Sequence, residues 1–123
     1  EVVEEGKDRP GEKEIERALG KWVEKTEVSD NLAVQVLLSE LKKGEAESII
    51  LAKEINADLI LLDDKTARSI AESSELIVKG TVGILLIAKE LGIVKDFRAV
   101  INKLRDKGFY LKEDTYQRIL REI

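Results

Sequence analysis

Four consecutive aliphatic residues, Leu59-Ile60-Leu61-Leu62, run directly into two acids, Asp63-Asp64. A strand with one wet face alternates apolar and polar residues, and this run does not. It predicts a short strand over 58–62 buried on both faces, as in a parallel sheet covered by helices. Parallel neighbours need a crossover, and the chain downstream supplies one. Residues 65–73 set Ala67, Ile70 and Ala71 at helical spacing. Leu76-Ile77-Val78 is a second aliphatic strand. Gly80-Thr81-Val82-Gly83 then opens a helix running to Leu91, with Thr81 as its N-cap. Strand, helix, strand, helix is the order of an α/β fold with a parallel central sheet. Ligands of such sheets gather at the carboxyl ends of strands, which is where Asp63, Asp64 and Gly80-Thr81 fall.

The remaining chain reads as helices around that sheet. At 123 residues a single domain over 1–123 is expected, with enough length to bury a core. Residues 1–5 are expected to be an acidic helix end or the entry from a preceding helix, and 6–11 a loop carrying the only proline. A helix over 12–19 has Ile15, Ala18 and Leu19 on one face and stops at Gly20. Residues 22–28 are a strand candidate. Ser29 or Asp30 caps a helix containing Leu32, Val34, Val36, Leu37, Leu38 and Leu41, which Gly44 breaks. Another helix covers 44–55, and Asn56-Ala57 turns the chain into the first strand. Near the C-terminus, Phe97, Val100, Ile101 and Leu104 make an amphipathic helix that Gly108 stops. Tyr116, Ile119, Leu120 and Ile123 lie in register on a last one.

The chain has neither histidine nor cysteine. That removes disulfides, thiolate metal sites, imidazole bases and the Ser-His-Asp and Cys-His nucleophile systems. Carboxylates, Lys, Tyr, Ser and Thr are left for chemistry. Oxygen-only ligands favour Mg²⁺, Mn²⁺ or Ca²⁺. A net charge of −4 argues against a general nucleic-acid coat but not against a local basic patch. No apolar run reaches the roughly 20 residues of a membrane span, and no signal peptide is visible. The Lys, Glu and Arg content without Cys or Met resembles that of proteins from hot environments. Position 1 is not a Met, so an upstream segment is expected.

Four acids of the middle stretch carry the sharpest functional expectation. Asp63 and Asp64 repel each other, and a metal would neutralise them; equally, Asp64 could simply cap the helix from Lys65. Glu45 sits in the first turn of its helix, where a carboxylate suits the dipole. Glu47 lies between the directions of Ile50 and Leu51, and a carboxylate in an apolar arc needs a partner. A metal, or a water shared with Asp63 and Asp64, would serve, as would Lys53 or Lys65. Gly80-Thr81-Val82-Gly83 could offer backbone N–H groups to a phosphate, although most such junctions are only caps. Arg98, Lys103, Arg105, Lys107, Arg118 and Arg121 are either a solvated face or a surface that tracks RNA phosphates. Aromatic residues are 4% of the chain, too few for a sheet that stacks bases; helix packing explains Tyr110 and Tyr116 at least as well.

The segments GEAESIILAKEINADLILLDDKTAR, VKGTVGILLIAKELGIV and LRDKGFYLKEDTYQRIL resemble the PIN-domain superfamily. Within it the chain is most similar to prokaryotic PIN-like proteins related to VapC toxins, and the resemblance runs over 1–123. Gly44-Glu45-Ala46-Glu47 also resembles the acidic run of flap endonucleases, which share the PIN core. The resemblance implies a three-layer α/β/α, Rossmann-like domain with C-terminal helices. It implies a nuclease in which three or four carboxylates bind one or two Mg²⁺ or Mn²⁺, and the metal activates water against a phosphodiester. The helix-borne acid of the family falls on Glu47 with Glu45 beside it, the strand-end acid on Asp64 or Asp63, and a further acid on Glu1. Thr81 matches the small polar residue opening the next helix; Lys65 and Arg68 join it as candidate substrate contacts. The family begins with a strand ending in an essential Asp, and the chain starts after that point.

The resemblance further implies an RNA substrate, a small antitoxin partner if the role is that of a toxin, a homodimer, a cytoplasmic location and no membrane. Two rivals stand beside this reading. A catalytically silent PIN-like scaffold would bind a protein or RNA without cutting. A small-nucleotide binder would use Gly80-Thr81-Val82-Gly83, for which no complete phosphate-binding fingerprint exists.

Overall fold

The computed structural model describes residues 10–122. They form a helix-rich α/β fold with a small parallel sheet. In chain order the elements are α1 (Glu12–Ala18), α2 (Asn31–Leu37), α3 (Lys43–Glu54), β1 (Ile60–Leu61), α4 (Lys65–Ser73), β2 (Val78–Lys79), α5 (Thr81–Glu90), α6 (Phe97–Asp106) and α7 (Glu113–Glu122). The chain divides into two compact units that meet between Val78 and Lys79. Among the described residues no helix is long and apolar enough to cross a membrane. The expectations for residues 1–9, including the acidic helix end, and for Ile123 lie outside the described residues.

The core of the first unit is built on α3. Ala46, Ile49 and Ala52 recur every third residue and are all buried. Alanine has little side chain, so neighbouring elements can approach closely. Ala67 and Ala71, one turn apart on α4, are fully buried in the same cluster, with Val34 of α2 and Ile60 and Leu62 around β1. Polar groups fix the arrangement. Asp30 caps α2 by accepting the Ala33 N–H at 3.0 Å. Glu54, at the end of α3, accepts the N–H groups of Ser29 and Asp30 and so ties α3 to the start of α2. Lys53 Nζ donates to the Ser74 carbonyl at 2.8 Å, joining α3 to the end of α4. Lys53 is thus engaged away from Glu47, which it was a candidate to pair. Ile60 N–H donates to the Ile77 carbonyl at 2.9 Å and links the two strand segments.

The second unit has its own core. Phe97, Ile101 and Ile119 are buried, with Val82, Leu85, Leu86, Val94, Leu104, Leu111 and Tyr116 packed around them. Asp96 caps α6 by accepting the Ala99 N–H at 3.1 Å. Gly108, at φ 98°, takes the left-handed conformation that ends α6.

Several local expectations need correction. The strand expected over 22–28 is absent: Val23 makes one isolated bridge to Leu19, and Trp22 is exposed. Aliphatic and β-branched content there does not suffice without a neighbouring strand to pair with. Helix α2 stops at Leu37, before Leu41, which is buried in the turn that follows. Gly44 does not break the chain between helices but lies inside the first turn of α3. The N-cap of α5 is Gly80, not Thr81, and α5 has no side-chain cap. The strand expected to be buried on both faces alternates: Ile60 and Leu62 are buried, while Leu61 is 61% exposed. The period of a strand sends Ile60 and Leu62 to the covered side and Leu61 to the other.

Candidate functional site

Helix α3 begins beside the end of β1, and an open pocket of about 410 Å³ lies there. Its lining comprises Lys42, Gly44, Glu45 and Ser48 from the start of α3, and Leu61, Leu62, Asp63 and Asp64 from the end of β1. It therefore sits at the carboxyl end of a strand, where the sequence led one to look.

Three carboxylates reach this pocket, by different routes. Asp63 and Asp64 are exposed and follow β1 directly, so the strand itself delivers them. Asp64 is also the N-cap of α4; its Oδ2 accepts the Ala67 N–H at 2.9 Å. The cap occupies one oxygen and fixes the side chain, leaving Oδ1 available to a ligand. The capping role and the binding role, first weighed as alternatives, are thus compatible in one residue. Glu45 is half-buried in the first turn of α3 and makes no hydrogen bond or ion pair with a described residue. Ser48, one turn on, donates its hydroxyl to the Gly44 carbonyl at 2.8 Å.

Glu47 is half-buried but is not among the lining residues. Two helical positions are separated by about 200° of rotation, so Glu45 and Glu47 cannot both face one pocket. Ala46, Ile49 and Ala52 set which side of α3 turns inward. That choice brings Glu45 to the pocket rim and takes Glu47 to the outer side. Lys65 and Arg68 are exposed on α4 and are not in the lining. Thr81 opens α5 in the second unit. Glu1 lies outside the described residues.

Sequence reasoning did not anticipate Lys42 and Ser48. Ser48 could have been found, since it follows Glu45 by three residues on the same helical face. Lys42 could not, because its place depends on α3 starting at Lys43 rather than at Gly44.

The pocket's donors are carboxylate and hydroxyl oxygens, the chemistry of a hard divalent cation. Among the described residues, no group of three or more acidic side chains is arranged to hold a metal ion. Mg²⁺ needs fewer: it commonly uses one or two carboxylates and completes its shell with water and substrate phosphates. The donor set fits such an ion, held from one side. In comparisons with known proteins, a family model described as a PIN domain matches residues 1–123. No curated protein and no solved structure matches the chain.

Proposed function

This chain belongs to the PIN-domain family, whose function is of nuclease type, and we propose that it is a metal-dependent endoribonuclease hydrolysing RNA phosphodiester bonds. The observation that carries this reading is the pocket at the end of β1, into which Glu45, Asp63 and Asp64 bring three carboxylates from two elements. Mg²⁺ or Mn²⁺ would be held by Asp63 and by Asp64 through the oxygen its cap leaves over, with Glu45 reaching the ion through a water. When bound, the ion supplies Lewis acidity toward a phosphodiester oxygen and an activated water. The chain's own residues do the rest. The α4 cap holds the Asp64 carboxylate in one orientation, which lowers the cost of ordering it at binding. Lys42, which makes no ion pair with a described residue, supplies a positive charge on the same rim for a scissile phosphate. Leu61 and Leu62 give the pocket an apolar wall that excludes water from one side.

Glu47 and Glu1 are outside this proposed ligand set, and Lys65, Arg68 and Thr81 remain candidate contacts for flanking nucleotides. The toxin reading, with a small antitoxin, a homodimer and a cytoplasmic location, is part of the same proposal. Supporting it, Leu32 and Val36 lie one turn apart on α2 and are 74% and 66% exposed, an apolar stripe that a protein partner would cover. Light scattering of the full chain, alone and with a cognate antitoxin, tests the assembly.

The decisive experiment is Asp64→Asn assayed for metal-dependent RNA cleavage. Asn caps helices about as well as Asp, so the fold is retained while the anionic ligand is lost. Loss of cleavage is expected; undiminished cleavage overturns the assignment. A second reading, a silent scaffold that binds protein or RNA, is favoured by the lack of three convergent acids among the described residues. Calorimetry with Mn²⁺ separates the two: binding that Glu45→Gln removes supports the nuclease, and no binding supports the scaffold.

A further inference from the structure

The two compact units carry opposite charge. Residues 79–123 contain ten Lys and Arg against six Asp and Glu, whereas residues 1–78 contain eleven against nineteen. A chain of net charge −4 therefore concentrates positive charge in the unit that lacks the acidic pocket.

Four of the ten cations lie between residues 103 and 112, around the turn from α6 to α7. Arg105 is committed internally: its Nη2 donates to Glu113 Oε2 at 2.9 Å, and its guanidinium stacks 4.0 Å from the Tyr116 ring centroid. Lys103 and Lys107, one turn apart around the end of α6, and Lys112, just ahead of α7, are exposed and make no ion pair with a described residue. Between them stands Tyr110, 80% exposed. The turn presenting it is fixed from both sides. Gly108 N–H donates to the Arg105 carbonyl and Phe109 N–H to the Leu104 carbonyl, each at 3.0 Å. On the far side, Leu111 packs against the core of the unit. An aromatic ring held out to solvent by a fixed turn, with three exposed lysines within eight residues of it in sequence, offers a platform for an unstacked base and its flanking phosphates.

We propose that the turn between α6 and α7 binds single-stranded RNA, with a base stacked on Tyr110 and with Lys103, Lys107 and Lys112 on phosphates. This inference rests on the nuclease reading and assigns that activity a substrate-holding surface remote in sequence from its acids. The test is fluorescence anisotropy of a labelled single-stranded RNA with the full chain in excess chelator, where binding is read without cleavage. Tyr110→Ala should weaken binding about tenfold. Lys107→Gln should lower the slope of log affinity against log salt by about 0.7, one phosphate contact on a single strand. Unchanged affinity in the first variant and an unchanged slope in the second overturn the proposal. Equal affinity of the parent chain for single-stranded and duplex RNA also overturns it, since a duplex offers no free base. The two readings fail separately. RNA binding that these variants weaken, without cleavage when Mg²⁺ or Mn²⁺ is restored, removes the nuclease and leaves the surface. Cleavage and binding that neither variant alters remove the surface and leave the nuclease.

Discussion

The two compact units solve the same packing problem with different residues. In the first, the most deeply buried positions of α3 and α4 include Ala46, Ala67 and Ala71. Small residues let backbones come close, and polar ties between elements run from side chains to backbone: Glu54 to Ser29 and Asp30, and Lys53 to Ser74. In the second, Phe97, Ile101 and Ile119 fill the centre, and the polar ties run between side chains. Glu113 holds Arg105 and accepts from Gln117, and the Tyr116 hydroxyl donates to Asn102. The difference has a functional consequence. In the first unit Glu45 makes no hydrogen bond or ion pair with a described residue, and the cap on α4 orients Asp64. The side-chain network of the second unit consumes Arg105 and Tyr116 and leaves Lys103, Lys107, Tyr110 and Lys112 facing water.

The largest effects should come from breaking one core and watching the other. Ile49→Ala and Ile101→Ala each remove a fully buried side chain and should cost about 2–5 kcal/mol. If the units are energetically separate, Ile101→Ala raises amide exchange across α6 and α7 and spares α3 and α4, and Ile49→Ala does the reverse. Exchange rising everywhere in both variants would show one cooperative core instead. Next in size, Asp64→Asn should lower RNA cleavage about a hundredfold or more, the scale for removing one electrostatic stabiliser from a transition state, with little change in melting temperature. Asp64→Ala sharpens the point: it removes the cap as well, and should cost about 1 kcal/mol more in stability than Asp64→Asn, read by thermal denaturation.

The smallest expected effect is a pH dependence confined to the second unit. Hydrogen bonds from Gln117, then from Arg105, hold the Glu113 carboxyl below its ordinary value. The same Glu113 contact raises Arg105, which therefore stays charged throughout. A carboxyl lowered on folding contributes stability that is complete above its unfolded value and is lost as pH falls through the folded one. The opening free energy of α6 and α7, read from amide exchange corrected for the intrinsic rate at each pH, should therefore fall on acidification, and Glu113→Gln should flatten that fall. The pair is exposed, so the effect is small.

Much of the architecture was legible because it depends on local pattern. The register of Phe97, Ile101 and Leu104 located α6 to within a residue, and Ala67 and Ala71 lie on the buried face expected of them. Asp63 and Asp64 lie at the sheet's carboxyl end, as their place in the sequence implied, because they directly follow β1. What failed was what needs a partner. Residues 22–28 have strand composition but no strand beside them. The aliphatic run at 59–62 suggested two covered faces, yet Leu61 is open.

The pocket divides along the same line. The sequence by itself determined which chemistry is available: with no His and no Cys, only oxygen donors could build a metal site. It could not decide between Glu45 and Glu47. Two residues separated by one position on a helix face opposite ways, and local pattern ranked Glu47 first because its neighbours are apolar. Only the packing of Ala46, Ile49 and Ala52 against the core fixed the rotation of α3, and that rotation put Glu45, not Glu47, in the lining of the pocket that Asp63 and Asp64 share.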